Sequence, residues 1–303
     1  MNGLILPGLI SASPESASYA AAISAEDAAR QGEQIAEARS AGERICWLHF
    51  DPESARTVIK TRSPDGLLST LTPEEYSVRS TVHEYGGGAY AVVGEAVVFV
   101  NAADQGIYLQ NFATPDQIRR LWSLPGARYG DLLYDPVHGR IIAVEELHND
   151  ASSPVNRLVA INLTEGDRQV LMEGADFYTS PRVSPDGRRM AWISWNHPHQ
   201  PWLCCGLYEA VLTPSGAIET VEQLSDGFFQ GQAEALQQPE YSPDGVLHFL
   251  SDRQGNWQLY RYLSGQTEPV LSVAAQQSRE YGVAPWQLGL RCYAFVEENW
   301  IVC

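Results

Sequence analysis

From Arg44 onward the chain alternates short apolar runs with turn residues. The runs are R-I-C-W-L-H-F (44–50), A-V-V-F-V (96–100), R-I-I-A-V (140–144), R-M-A-W-I-S-W (189–195), V-L-H-F-L (246–250) and C-Y-A-F-V (292–296). Each is short, rich in β-branched or aromatic residues, and mostly bounded by Gly, Pro, Asp or Asn, which is the signature of strands. No long stretch with helical period follows the first forty residues, so the pattern predicts an all-β fold. Before it, residues 24–39 are rich in Ala, Ser and Glu, and a short helix capped by Ser24 is expected there. The division expected is an N-terminal segment over 1–40 and a β domain over 41–303.

The turns repeat. Ser184-Pro185-Asp186-Gly187 and Ser242-Pro243-Asp244-Gly245 each precede an apolar run, and Asp135-Pro136-Val137-His138-Gly139 is a looser version of the same device. Proline presets the first turn angle, aspartate bonds the turn backbone, and glycine supplies the positive φ. Anchors roughly 50 to 60 residues apart have the period of propeller blades. Ser63-Pro64-Asp65-Gly66 matches by letter, but no comparable run follows it, so a turn between outer strands is expected. A four-stranded antiparallel blade cannot cover both its faces alone, and radial stacking covers them. Taking the runs at Ile45, Val97, Ile141, Met190, Leu247 and Tyr293 as inner strands gives about six blades. The last is expected to be incomplete, because the sequence stops at N-W-I-V-C within an apolar run. A chain truncated there leaves open sheet edges through which self-association is expected.

Composition narrows the function. The net charge is −17, from 20 basic and 37 acidic residues, which argues against nucleic acid and anionic membranes as partners. Five cysteines at irregular spacing do not form a disulfide framework. The first ten residues lack a basic region and are broken by Pro7, so neither a signal peptide nor a membrane span is read there. A reduced, cytoplasmic protein is expected.

Three segments together carry a family resemblance: H-E-Y-G-G-G-A-Y (83–90), S-P-R-V-S-P-D-G-R-R-M-A-W-I-S-W-N-H-P (180–198) and S-D-R-Q-G-N-W-Q-L-Y-R (251–261). From about Gln34 onward the chain resembles the N-terminal β-propeller of the acylaminoacyl-peptidase or dipeptidyl-aminopeptidase-like branch of the prolyl oligopeptidase serine peptidases. The third segment is also shared with TolB-like and WD40-like repeats. The resemblance implies a propeller that caps an α/β-hydrolase domain and admits short peptides. No G-x-S-x-G elbow occurs in the sequence, so the catalytic domain is missing here and no catalytic residue is assigned. Where the family has aspartate and glycine after the tryptophan matched by Trp202, this chain has Leu203-Cys204-Cys205-Gly206. The implied function is the non-catalytic, substrate-gating part of such a peptidase; the alternative is a freestanding propeller that binds a peptide or protein.

Two stretches are candidate substrate contacts. His83-Glu84-Tyr85 precede three glycines, but no second histidine follows for an H-E-x-x-H zinc site and no helix for a dinucleotide loop. Glycines that bring backbone close to a crowded axis are the plain explanation, with His83, Glu84 and Tyr85 facing a central cavity. Glu145-Glu146 end an apolar run, and related dipeptidyl peptidases bind a substrate amine with a glutamate pair. Neighbours on a strand point to opposite faces, so the two converge only if the strand has ended. His197, His199, Cys204 and Cys205 match no standard zinc spacing. No metal and no cofactor are expected. Trp192, Trp195, Trp202 and Trp257 are read as packing between blades.

Overall fold

The computed structural model describes residues 32–149, 153–271, 279–297 and 300–303, and every regular element among them is a strand. The first blade is β1 (Gln34–Ala41), β2 (Arg44–Asp51), β3 (Arg56–Arg62) and β4 (Leu68–Thr70). The second is β5 (Tyr90–Val93), β6 (Ala96–Val100), β7 (Ile107–Asn111) and β8 (Ile118–Trp122). The third is β9 (Ala127–Asp135), β10 (Arg140–Leu147), β11 (Val155–Asn162) and β12 (Arg168–Glu173). The fourth is β13 (Phe177–Val183), β14 (Arg189–Trp195), β15 (Gly206–Leu212) and β16 (Ile218–Ser225). A small hairpin, β17 (Phe228–Phe229) with β18 (Gln232–Ala233), leads to the fifth. That blade is β19 (Leu236–Tyr241), β20 (Leu247–Ser251), β21 (Gln258–Leu263) and β22 (Gln266–Pro269). A two-stranded sheet, β23 (Ala294–Glu297) and β24 (Trp300–Val302), follows. Each blade is an antiparallel meander in sequence order, and the fold is a β-propeller.

The apolar runs read from the sequence are β2, β6, β10, β14, β20 and β23, but the first five are second strands, not innermost ones. The innermost positions belong to β1, β5, β9, β13 and β19, whose successive members touch around the axis. Second strands are continuously apolar because both their faces are covered. In β6, Val97 and Phe99 pack toward the first blade, while Val98 and Val100 pack toward the third. In β14, Trp192 enters the core shared with the third blade, and Ile193 and Trp195 the core shared with the fifth. The anticipated Ser-Pro-Asp-Gly turns join first to second strands: Gly187 N–H donates to Ser184 O at 2.8 Å, and Gly245 N–H to Ser242 O at 2.8 Å. Ser63–Gly66 turns between β3 and β4, the outer strands of its blade.

The helix expected over residues 24–39 is not found where it can be checked. Residues 34–39 lie in β1, and residues 24–31 lie outside the described residues. Pairing with β2 satisfies this backbone and overrides the helical preference of Ala and Glu. The register of β1 slips between Ala36 and Arg39, where Glu37 adopts φ 49°. The same device recurs in other innermost strands: Asp131 (φ 50°), Ser180 (φ 55°) and Gln238 (φ 47°) sit at bulges of β9, β13 and β19. These bulges aim side chains across the axis.

Candidate functional site

The loop Thr81–Gly88 enters β5 through backbone contacts only glycine permits. A Cβ on Gly86 would lie 2.1 Å from Ser80 O, one on Gly87 2.1 Å from Leu288 O, and one on Gly88 2.4 Å from Asp131 Cα. All three have positive φ. Leu288 N–H donates to Gly86 O at 2.9 Å, and Leu132 N–H to Gly88 O at 2.9 Å. The glycines therefore allow the close approach expected of them, in the turn before a strand.

Arg128 and Glu146 hold this loop in place. Glu146, 3% exposed, accepts the His83 backbone N–H at 2.7 Å and Arg128 Nη1 at 3.2 Å, and is paired with His148. Arg128 also donates to Thr81 O at 3.1 Å and to Glu84 at 2.5 Å. Hydrogen bonding and attraction from Arg128 hold the exposed Glu84 carboxyl below its ordinary value. Asn156 Nδ2 donates to Asp176 O, so its Oδ1 faces His83 Nε2 at 3.1 Å and places the ring proton on Nε2. The His83 ring packs edge-on against Phe177 at 5.1 Å and Trp195 at 5.9 Å. Burial lowers its pKa, against an opposing pull from Glu146, Asn156 and Asp131.

Glu145 points the other way. It is 0% exposed and accepts from Arg168 Nε at 2.6 Å and Tyr129 Oη at 3.0 Å, with Arg157 Nη1 at 3.5 Å. Strand β10 has not ended at the pair, since it runs to Leu147. The two carboxylates therefore diverge and form no joint amine site, which removes Glu145 from the cavity.

The cavity beside this loop holds about 210 Å³. His83 and Tyr85 lie on its wall with Phe177, Trp195, Trp202 and Trp286. Trp195 stacks on Phe177 at 5.2 Å, and Trp202 on Trp286 at 5.0 Å. Tyr85, 58% exposed, meets Trp286 edge-on at 6.3 Å at the mouth. Trp202 thus lines a cavity where packing was expected, whereas Trp192 and Trp257 are buried between sheets. Trp286 escaped the sequence reading because it lies in an irregular stretch without strand periodicity; an aromatic residue after Pro285 was the available signal. No Asp, Glu, Lys or Arg lies on this wall among the described residues. Cys204 and Cys205 are buried, with Cys204 Sγ donating to Gly227 O. The described residues contain no group of three His, Cys, Asp or Glu side chains arranged to hold a metal.

No protein-family model matches the chain, and no curated protein matches it. Solved structures do. A puromycin-hydrolyzing peptidase of Mycobacterium tuberculosis aligns with TM-score 0.81 and 28% identity over 92% of this chain and 44% of its own. A puromycin hydrolase aligns with TM-score 0.82 and 27% identity over 92% of this chain and 45% of its own. The likeness is to the propeller portion of a prolyl oligopeptidase-family enzyme. This propeller spans less than half the length of those peptidases. A prolyl endopeptidase at 13% identity and TM-score 0.59 shares the fold. Among the described residues no helix is long and apolar enough to cross a membrane.

Proposed function

We propose that this chain is the non-catalytic propeller portion of a prolyl oligopeptidase-family serine peptidase that acts on short peptides in the cytoplasm. Its aromatic cavity forms one wall of the substrate chamber. The observation that carries the reading is the likeness over 92% of this chain to less than half of a puromycin-hydrolyzing peptidase. The cavity supports it: an uncharged aromatic wall favours the apolar parts of a peptide over its charged side chains. His83 and Tyr85 are the proposed contacts, with Trp202 and Trp286 at the mouth. Glu84 and Glu146 position the loop through Arg128.

Tryptophan fluorescence of the purified chain, titrated with di- and tripeptides, tests the reading. A saturable change that Trp286→Ala weakens about tenfold is expected, since one aromatic contact in a desolvated pocket contributes on the order of 1–2 kcal/mol. No saturable change with any short peptide counts against it. Turnover of aminoacyl or acyl-aminoacyl chromogenic substrates by this chain alone, abolished by a serine reagent, refutes its non-catalytic part.

A further inference from the structure

Six charged side chains meet on the propeller axis. Glu37 and Arg39 come from β1, Asp131 from β9, Arg182 from β13, Glu240 from β19, and Arg291 from the stretch before β23. Five of them are engaged. Arg182 donates to Glu240 at 3.0 Å and to Pro181 O at 2.7 Å, and lies 3.7 Å from Asp131. Asp131 accepts the Ser180 N–H at 2.5 Å. Glu37 accepts the Gly88 N–H at 2.8 Å and pairs with Arg39 at 3.2 Å, and Arg39 stacks over Tyr90.

Arg291 differs. Its ionic partner is Glu240 at 3.8 Å, through the carboxylate oxygen that Arg182 already occupies. That separation lies beyond hydrogen-bond reach, and the guanidinium makes no hydrogen bond to any described residue. The Arg291 side chain is 41% exposed; partial desolvation first, then repulsion from Arg182, lowers its pKa to about 10, with Glu240 opposing. A guanidinium offers five donors in a planar fork that matches carboxylate or phosphate.

Arg291 faces a cavity of about 770 Å³ that lies beyond the bulges. Residues before the bulges, such as Thr179 and Gln237, line the aromatic cavity, and residues after them, such as Ala38 and Leu133, line this one. Its wall carries Arg39 and Arg291 among largely apolar neighbours, and among the described residues no aspartate or glutamate lines it. Glu37 and Glu240, the carboxylates nearest these guanidiniums, are not on this wall, so among the described residues the charged groups that line the cavity are guanidiniums.

We propose that this axial cavity binds a compact anion, a carboxylate or a phosphate, held by the Arg291 fork with Arg39 beside it. The site stands apart from the peptide-wall reading, because it lies on the other side of the bulges and uses different residues.

Isothermal titration of the full chain at constant ionic strength tests it with N-acetylglycine, its neutral analogue N-acetylglycinamide, and inorganic phosphate. N-acetylglycine or phosphate should bind and the amide should not. Arg291→Gln should weaken binding roughly tenfold or more, the loss of one charge-assisted pair. Arg188→Gln, an exposed change of equal charge, should leave it unaltered. Binding of phosphate alone, with the same dependence on Arg291, assigns the site to phosphate; binding of N-acetylglycine alone assigns it to carboxylates. Should Arg291→Gln fail to fold, Arg291→Lys keeps the charge, loses the fork and should bind more weakly than wild type. The proposal is overturned if neither anion binds, if the amide binds as well as the acid, or if the folded variant binds like wild type.

Discussion

Glu145 and Glu146 are neighbours with different tasks, because a pleated strand sends consecutive side chains to opposite faces. Glu145 neutralises Arg168 and Arg157 inside the third blade, and Glu146 ties the His83 loop to that blade. Removing one member of a buried, multiply bonded ionic group is costly. Glu145→Ala should lose about 3 kcal/mol of unfolding free energy in urea, whereas Glu84→Ala, at an exposed site, should change little. Equal losses in the two variants would contradict the assignment. Burial holds both His83 and His248 below the ordinary histidine value. In the unfolded chain they titrate at about 6.5. As pH falls through that value the unfolded chain takes up protons that the folded one does not, so stability falls with it. Urea unfolding from about pH 7 to about pH 5 should show this decline, with a shallower slope in His83→Gln. An unaltered slope would show that His83 is not a contributor.

At the scale of elements, the glycine loop bears most on the site. Gly87→Ala places a methyl group against the Leu288 carbonyl at φ +105°, so backbone strain and steric conflict add. The loss should reach about 3 kcal/mol in denaturant, with the aromatic cavity disturbed because Leu288 lines it. Unchanged stability would mean that the loop relaxes freely. The strand runs were legible in the sequence because both faces of each second strand are apolar, which leaves an unbroken hydrophobic signature. Innermost strands such as Q-I-A-E-A-R-S-A were not legible. Their side chains face a polar axis, and a bulge interrupts their alternation, so β1 read as a helix. Of the candidate site, the loop from His83 to Gly88 could be read from its letters. Phe177 and Arg291 could not, because their importance arises from elements far apart in sequence meeting at the axis, and Trp286 offered only an aromatic residue after Pro285 in a stretch without strand period.

For the whole molecule, the built features concentrate along the axis of a propeller that aligns with less than half of a longer peptidase. Two cavities of opposite character lie on either side of the bulges, one aromatic and uncharged, the other carrying two guanidiniums. The stretch from Tyr281 to Tyr293 runs past both. It is bonded to Trp257 O and to Gln238 in the fifth blade, and through Leu288 to Gly86 in the turn before the second. Tyr281, Leu288 and Tyr293 thus tie this stretch to the fifth blade and to the turn before the second by hydrogen bonds outside any four-stranded sheet. Residues 285–288 and 290 line the aromatic cavity and residues 291–293 the other, so a change of course in this one stretch reshapes both cavities together.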